Sequence, residues 1–116
     1  MNDNCIFCAI INKKVPAEIV FEDDQFIAFK DINPLASVHV LLVPKKHTDS
    51  LNNIPDEDVA SLSNLFIYAK KVAKQLGLYE NGYRLIINTG KDGGQTVPHI
   101  HMHILKGKIK IPDQVE

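Results

Sequence analysis

The chain has 116 residues, the length of one average domain, and a chain of this size buries enough surface to fold without covalent staples. Its 45% hydrophobic and 23% charged residues are typical of a globular protein and exclude disorder, a collagen-like repeat and a coiled coil. The net charge of -1 excludes a large basic field for a long nucleic acid or an anionic membrane, but it is compatible with a small charged ligand.

Both cysteines lie in the apolar run Cys5-Ile-Phe-Cys-Ala-Ile-Ile11. This run is much shorter than the roughly 20 apolar residues of a membrane span. It also lacks the basic segment and small-residue cleavage site of a signal peptide, so we expect a cytoplasmic protein that is not bound to a membrane. In such a chain a Cys-x-x-Cys spacing favours metal or redox chemistry over a structural disulfide.

The N-terminal third of the chain predicts a short helix followed by a hairpin. Apolar residues at helical spacing predict the helix over 5–12, and Val15-Pro16 ends it. Short apolar stretches at 18–21 and 25–29 flank three acidic residues and predict a β-hairpin. Asn33-Pro34 then predicts a turn within 31–36.

The rest of the chain predicts three strands and one long helix. Residues 38–43 form a continuous apolar strand that Pro44 ends. Acidic residues at 56–58 precede an amphipathic helix over 59–76, whose apolar residues recur at steps of three and four: Val59, Leu62, Phe66, Ala69, Val72, Ala73 and Leu76. Strands are predicted at 83–88 and 99–105, with a glycine-bearing loop at 89–96 between them. The order predicts a single α+β domain, residues 1–116, with a five-stranded, mainly antiparallel sheet.

The most informative segment is His99-Ile-His-Met-His-Ile-Leu105, which alternates imidazole and aliphatic side chains. Successive side chains of a strand point to opposite faces, so we expect the aliphatic residues in the core and His99, His101 and His103 on the other face. A chance cluster of surface histidines is the alternative. With a rise of about 3.3 Å per residue, His99 and His103 lie roughly 13 Å apart, too far to share one ion, although an adjacent pair could. The three histidines should therefore have different roles.

Imidazole is suited to attack phosphorus, because it is largely neutral near pH 7 and leaves readily in a second step. Neighbouring imidazoles can donate hydrogen bonds to phosphate oxygens as charge develops. The preceding loop, Gly93-Gly-Gln-Thr96, can bring backbone N–H groups close to an anion. Together the loop and the histidines predict a phosphate site.

The stretch Gly94-Gln-Thr-Val-Pro-His-Ile-His-Met-His-Ile-Leu105 resembles the signature of the histidine triad (HIT) family. Three further segments match in the order of the family's Hint branch: Phe29-Lys-Asp-Ile-Asn-Pro34, His39-Val-Leu-Leu-Val-Pro-Lys-Lys-His47 and Tyr83-Arg-Leu-Ile-Ile-Asn88. The resemblance covers Ile6 to Leu105 and leaves 106–116 as a C-terminal tail. It implies a HIT-like fold and a nucleotide hydrolase or transferase that acts on purine nucleoside phosphoramidates or related adenylates, without an organic cofactor.

The resemblance also implies the role of each matching residue. His101 would attack the α-phosphorus and form a nucleotidyl-histidine. His103 would contact the phosphate and His39 would support the other histidines. Gln95 and Thr96 would contact the phosphate or the leaving group; many eukaryotic relatives have serine in place of Thr96. Asp31 would bind the ribose hydroxyls, because a carboxylate accepts two hydrogen bonds from a diol. The remaining implied contacts with the nucleotide are Ile6, Phe7, Ile10, Phe29 and Ile32 around the base, with Asn88 and Gly94 near the phosphate or ribose.

The cysteine pair resembles that of zinc-containing bacterial members. There Cys5, Cys8, His47 and His99 would be the ligands of one zinc ion, and this closed tetrahedral shell would make the zinc structural. A thioredoxin-like redox pair and plain buried thiols are the alternatives.

Two functions compete with the phosphoramidase. One is cleavage of diadenosine polyphosphates, as in the Fhit branch, and the other is a non-catalytic nucleotide-binding or interaction module. Retention of all three triad histidines disfavours the module. The family also implies a homodimer built from 59–76 and 83–88. The tail lacks the tryptophan-containing ending of many Hint proteins, which weakens any inference about the leaving group.

Overall fold

A computed structural model describes residues 4–109, except for the side chain of Ser61. The helices are α1 (Ile6–Ile11) and α2 (Ser63–Gln75), with 3-10 helices at Leu51–Asn53 and Asp56–Leu62. The strands are β1 (Ile19–Glu22), β2 (Phe26–Lys30), β3 (Val38–Pro44), β4 (Arg84–Ile86) and β5 (Met102–Lys106). They form one sheet in the order β1-β2-β3-β5-β4, and every neighbouring pair is antiparallel. The predicted α+β fold with a five-stranded sheet is confirmed.

The sheet has a hydrophobic core on each face. Alternate residues of β3 and β5, such as Val40, Leu42 and Ile104, pack with α2 in one core. Leu41 and Val43 point the other way and pack with α1. Both faces of β3 are covered, which explains why its sequence is continuously apolar instead of alternating.

The predicted hairpin at the start of the sheet is confirmed. Its turn is closed by Asp23, whose Oδ1 accepts hydrogen bonds from the backbone N–H groups of Gln25 and Phe26 at 2.8 and 2.9 Å. An aspartate that bonds to the backbone in this way stabilises a tight turn.

The long helix differs from the prediction in its beginning and in its buried face. Residues 56–62 are 3-10, and the α-helix begins at Ser63, whose hydroxyl donates to the Ala60 carbonyl at 2.6 Å. Such a bond competes with regular helical pairing. Leu65, rather than Phe66, packs in the core, and Phe66 is 56% exposed. The predicted apolar face is therefore wrong at Phe66 and at Val59, which is also exposed.

The last two strands are shorter than predicted. β4 covers three residues, and β5 begins at Met102, so His99 and His101 precede the strand. The N–H of His99 donates to the Val97 carbonyl and that of Ile100 to the Thr48 carbonyl, both at 2.8 Å. Of the three histidines, only His103 therefore lies within the strand itself, while Met102 and Ile104 pack in the core as predicted.

No helix among residues 4–109 is long and apolar enough to cross a membrane. The part of the C-terminal tail at 110–116, which carries the prediction about the missing tryptophan ending, lies outside the described residues.

Candidate active site and Cys2His2 cluster

A cavity of about 330 Å³ opens between α1, the end of β2 and the histidine segment. Of the residues assigned to a nucleotide site from the sequence, the structure brings nine to its wall: Ile6, Phe7, Ile10, Phe29, Asp31, Ile32, Thr96, His101 and His103. The wall combines apolar side chains with two imidazoles and a carboxylate. This combination suits a ligand with a flat apolar group and an anionic group.

His101 is buried in the wall of the cavity, just before β5. Its Nδ1–H donates to the backbone carbonyl of His99 at 2.7 Å. In the neutral ring this bond places the proton on Nδ1 and leaves a lone pair on Nε2. Burial lowers the pKa of His101, although the His99 carbonyl and the Asp31 carboxylate oppose the shift. The ring is therefore neutral near pH 7, as a nucleophile must be.

His103 and His39 form a second imidazole pair, across β5 and β3. The N–H of Leu35 donates to His39 Nδ1 at 3.0 Å, so the ring proton of His39 is on Nε2. His39 Nε2 lies 2.8 Å from His103 Nδ1 and donates to it. The proton of His103 is consequently on Nε2, where it is available to an acceptor. Burial, followed by the nearby rings of His101 and His39, lowers the pKa of His103 to about 4.

Asp31 lies beside His39, the buried member of this pair. One oxygen accepts the Asn33 N–H at 2.8 Å, and the other is 3.5 Å from His39 Nε2. Burial is the main cause that lowers the pKa of His39, and Asp31 opposes it. His39 does not line the cavity; it supports His103 from behind.

The predicted residues in and beside the glycine-bearing loop do not all line the cavity. Thr96 lines it, but the Gln95 side chain braces the loop by donating to the carbonyls of Asp49 and Val97 and accepting from the Gly90 N–H. Asn88 is similarly engaged, because its Nδ2 donates to the Gly93 carbonyl at 2.7 Å. Gln95 and Gly94 line a second pocket, which Thr96 also lines.

The four predicted metal ligands converge. One ligand atom from each of Cys5, Cys8, His47 and His99 lies within 4.8 Å of all the others. His99 Nδ1 is 3.3 Å from Cys5 Sγ, 3.6 Å from Cys8 Sγ and 3.1 Å from His47 Nδ1. A tetrahedral ion with bonds of about 2.1 Å to nitrogen and 2.3 Å to sulfur separates its ligands by about 3.4 to 3.8 Å. The cluster is therefore only slightly tighter than a tetrahedral shell.

Outer hydrogen bonds prepare both histidines for a cation. His99 donates from Nε2 to the Pro44 carbonyl at 2.8 Å, and His47 donates from Nε2 to the Asp49 carboxylate at 2.7 Å. Each Nδ1 is thus a lone pair, and the two lone pairs face each other. A cation bound by all four residues would neutralise the repulsion between these lone pairs. Such outer partners are typical of metal-binding histidines, so the residues fit a structural metal.

Several residues of both sites are absent from the sequence predictions. Asp49 was detectable in principle, because it follows a predicted ligand by two residues. The backbone groups of Leu35 and Pro44 leave no sequence signal, since any residue supplies an N–H or a carbonyl. The cavity is also lined by residues that ordinary packing explains equally well: Val15, Pro16, Ala17, Lys30, Asn33, Leu41 and Val97.

The fold and the triad geometry together define the class of protein. A family model described as the HIT domain matches residues 12–109, and the chain belongs to this family. It is 43% identical over 108 residues to the purine nucleoside phosphoramidase of Escherichia coli (strain K12). The match covers 93% of this chain and 91% of the relative.

Two solved structures extend the comparison. A histidine triad protein from Clostridium difficile is 47% identical, with a TM-score of 0.90 and coverage of 99% of both chains. A zinc-bound histidine triad family protein from Mycobacterium smegmatis is 35% identical, with a TM-score of 0.75 and coverage of 95% of this chain and 84% of that chain.

Proposed function

We propose that this chain hydrolyses purine nucleoside phosphoramidates or related adenylates through a nucleotidyl-histidine on His101. The observation that carries the proposal is the bond from His101 Nδ1–H to the His99 carbonyl, which leaves Nε2 as a neutral nucleophile in the cavity wall. The activity named for the Escherichia coli relative supports the phosphoramidate as substrate.

The reaction has two steps at one phosphorus. His101 Nε2 forms a bond to the α-phosphorus while the bond from phosphorus to the substrate nitrogen breaks, and the leaving amine takes up a proton from solvent. Water then attacks the same phosphorus and loses a proton to solvent, the bond from phosphorus to His101 Nε2 breaks, and the nucleoside monophosphate leaves. The His103 Nε2–H donates to a phosphate oxygen as negative charge develops.

The remaining cavity residues bind the nucleoside. Ile6, Phe7, Ile10, Phe29 and Ile32, which all line the cavity, contact the base. Asp31 accepts from the ribose hydroxyls. Thr96 donates to the phosphate, and Gly94, Gln95 and Asn88 hold the loop that carries Thr96.

Cys5, Cys8, His47 and His99 hold the structural zinc ion in this proposal. With four protein ligands the ion supplies no open position and therefore no Lewis-acid chemistry; it fixes α1 to the segment before β5. The zinc-bound relative from Mycobacterium smegmatis supports the choice of metal.

Turnover of a fluorogenic adenosine phosphoramidate by the purified protein tests the function directly. We expect release of the fluorophore and of adenosine monophosphate, with a higher kcat/KM than for diadenosine polyphosphate. A reversed preference would favour the Fhit-type activity. Binding of adenosine monophosphate without turnover of either substrate would favour the non-catalytic module and refute the enzyme.

A homodimer is a separate prediction of the proposal. Val59, Phe66 and Ile67 expose apolar side chains on one region, and β4 is an edge strand of the sheet. Symmetric pairing of 59–76 and 83–88 would cover this surface and join two sheets into one. We expect sedimentation at micromolar concentration to give a dimer and Phe66→Glu to give a monomer, with the exposed Tyr79→Glu as the control. A wild-type monomer would contradict the prediction.

A further inference from the structure

The six-residue helix α1 borders both the Cys2His2 cluster and the cavity. Cys5 and Cys8 belong to the cluster, whereas Ile6, Phe7 and Ile10 line the cavity. Cys5 is also the N-cap of the helix, because its Sγ accepts the Cys8 N–H at 3.4 Å. A helix this short is not stable by itself, so its position depends on its packing against Leu41 and Val43 and on the contacts at its two borders.

Phe7 connects the cluster to His101. Its ring meets the His101 ring edge-on, with 4.9 Å between centroids and 84° between planes. The same ring lies 5.9 Å from the ring of the cluster residue His99. A second connection runs through the His99 backbone, whose carbonyl holds His101 Nδ1–H. A displacement of α1 or His99 therefore displaces one wall of the cavity and the imidazole of His101.

We propose that α1 couples metal binding at the cluster to nucleotide binding in the cavity, with Phe7 as the positioning residue for His101. The inference rests on the proposed function and adds a regulation of the same site. Both ligands require α1 in one position, so binding of either reduces the cost of ordering it for the other. The coupling must be reciprocal: the factor by which metal strengthens nucleotide binding equals the factor by which nucleotide strengthens metal binding.

Two measurements on the wild-type protein test the coupling. In the first, calorimetry gives the affinity for adenosine monophosphate of zinc-loaded protein and of protein depleted by a chelator. In the second, a chromogenic chelator competes for zinc with and without saturating adenosine monophosphate, and the equilibrium gives the zinc affinity. We expect both affinities to change by about tenfold, by the same factor, which is within the usual range for coupled sites.

The Phe7→Leu variant tests the positioning residue. It removes the ring but retains an apolar side chain in the wall, so we expect one zinc per chain and a coupling factor smaller than that of the wild type, because the connection through the His99 carbonyl remains. The coupling factor is the ratio of the nucleotide affinities of zinc-loaded and zinc-depleted protein. A loss of base contact lowers both affinities alike and leaves this ratio unchanged. Nitrogen NMR of the His101 ring should show some protonation moving from Nδ1 to Nε2. Phe21→Leu is the matched control, because Phe21 packs with Tyr68 and is absent from the lining of the cavity.

The outcomes separate this inference from the function on which it rests. Equal nucleotide affinity in loaded and depleted protein that both retain the sheet would overturn the coupling. If removal of zinc unfolds the protein, only the chelator competition tests the coupling. A zinc affinity that is the same with and without adenosine monophosphate would then overturn it. Unaltered coupling and an unaltered His101 spectrum in Phe7→Leu would overturn the role of Phe7. Zinc-loaded protein that binds no adenosine monophosphate would refute the proposed function first and the coupling with it.

Discussion

Replacing His101 with alanine is expected to lower kcat/KM by about 10³-fold or more, because an enzyme that loses its nucleophile keeps only binding and charge stabilisation. The affinity for adenosine monophosphate should stay measurable, since the apolar wall formed by α1 and β2 does not depend on the imidazole. Steady-state turnover of the fluorogenic phosphoramidate and calorimetry with adenosine monophosphate give the two numbers. Activity within tenfold of wild type would refute His101 as the nucleophile.

Two companion experiments make this result specific. His101→Gly opens space at the same place, so added imidazole should restore part of the turnover. Rapid quenching of the wild type under alkaline conditions, which preserve a phosphorus–nitrogen bond, should reveal one nucleotidyl group on His101 by mass. Lys106→Ala, at an exposed position of the same strand, should leave turnover unchanged. Turnover without a covalent adduct would favour direct attack by water.

Replacing Cys5 with serine is expected to remove the bound zinc and to lower Tm by roughly 10 to 15 °C. A ligand present at 100 to 1,000 times its Kd stabilises the folded state by about 2.7 to 4.1 kcal/mol. For a domain of this length, about 4 °C of Tm corresponds to 1 kcal/mol. Burial raises the pKa of the Cys5 thiol, so the thiolate at this position needs a nearby cation. Elemental analysis and thermal unfolding monitor the two effects.

A chelator supplies the matched control for this variant. It should lower the Tm of the wild type to that of Cys5→Ser and leave the variant itself almost unchanged, because the variant has no metal to lose. Wild-type protein purified without chelator but free of zinc would contradict the metal assignment. Zinc retained by the Cys5→Ser, Cys8→Ser double variant would contradict the ligand set while leaving the chemistry of His101 untouched.

Local patterns were sufficient for the order of elements but not for their ends. The apolar run at 38–43 and the acidic turn at 22–24 predicted β3 and the hairpin because packing and turn chemistry at those places are local. The beginning of α2 depended on the Ser63 hydroxyl, which donates to the Ala60 carbonyl. The burial of Leu65 in place of Phe66 depended on how the helix rotates against β3, which periodicity defines only to within a neighbouring residue.

The same division applies to the functional residues. The alternation of His99, His101 and His103 predicted separate roles, because residues four apart on an extended chain cannot share an ion. The structure agrees with that separation: His99 joins the two cysteines, whereas His103 pairs with His39. The start of β5 after His101 accompanies backbone bonds to Val97 and Thr48, and backbone bonding of this kind has no residue-specific signal.

The sequence by itself determined the chemistry available to this protein: three imidazoles beside a glycine-bearing loop, a Cys-x-x-Cys pair and an apolar strand through the centre of the sheet. Only the tertiary structure decided which nitrogen of each imidazole carries its proton. His101 depends on the His99 carbonyl, His103 on a proton that His39 donates, and His39 on the Leu35 N–H. A tautomer is selected by the partner that reaches one ring nitrogen, and that partner is brought there by strand pairing and chain bends rather than by spacing along the chain.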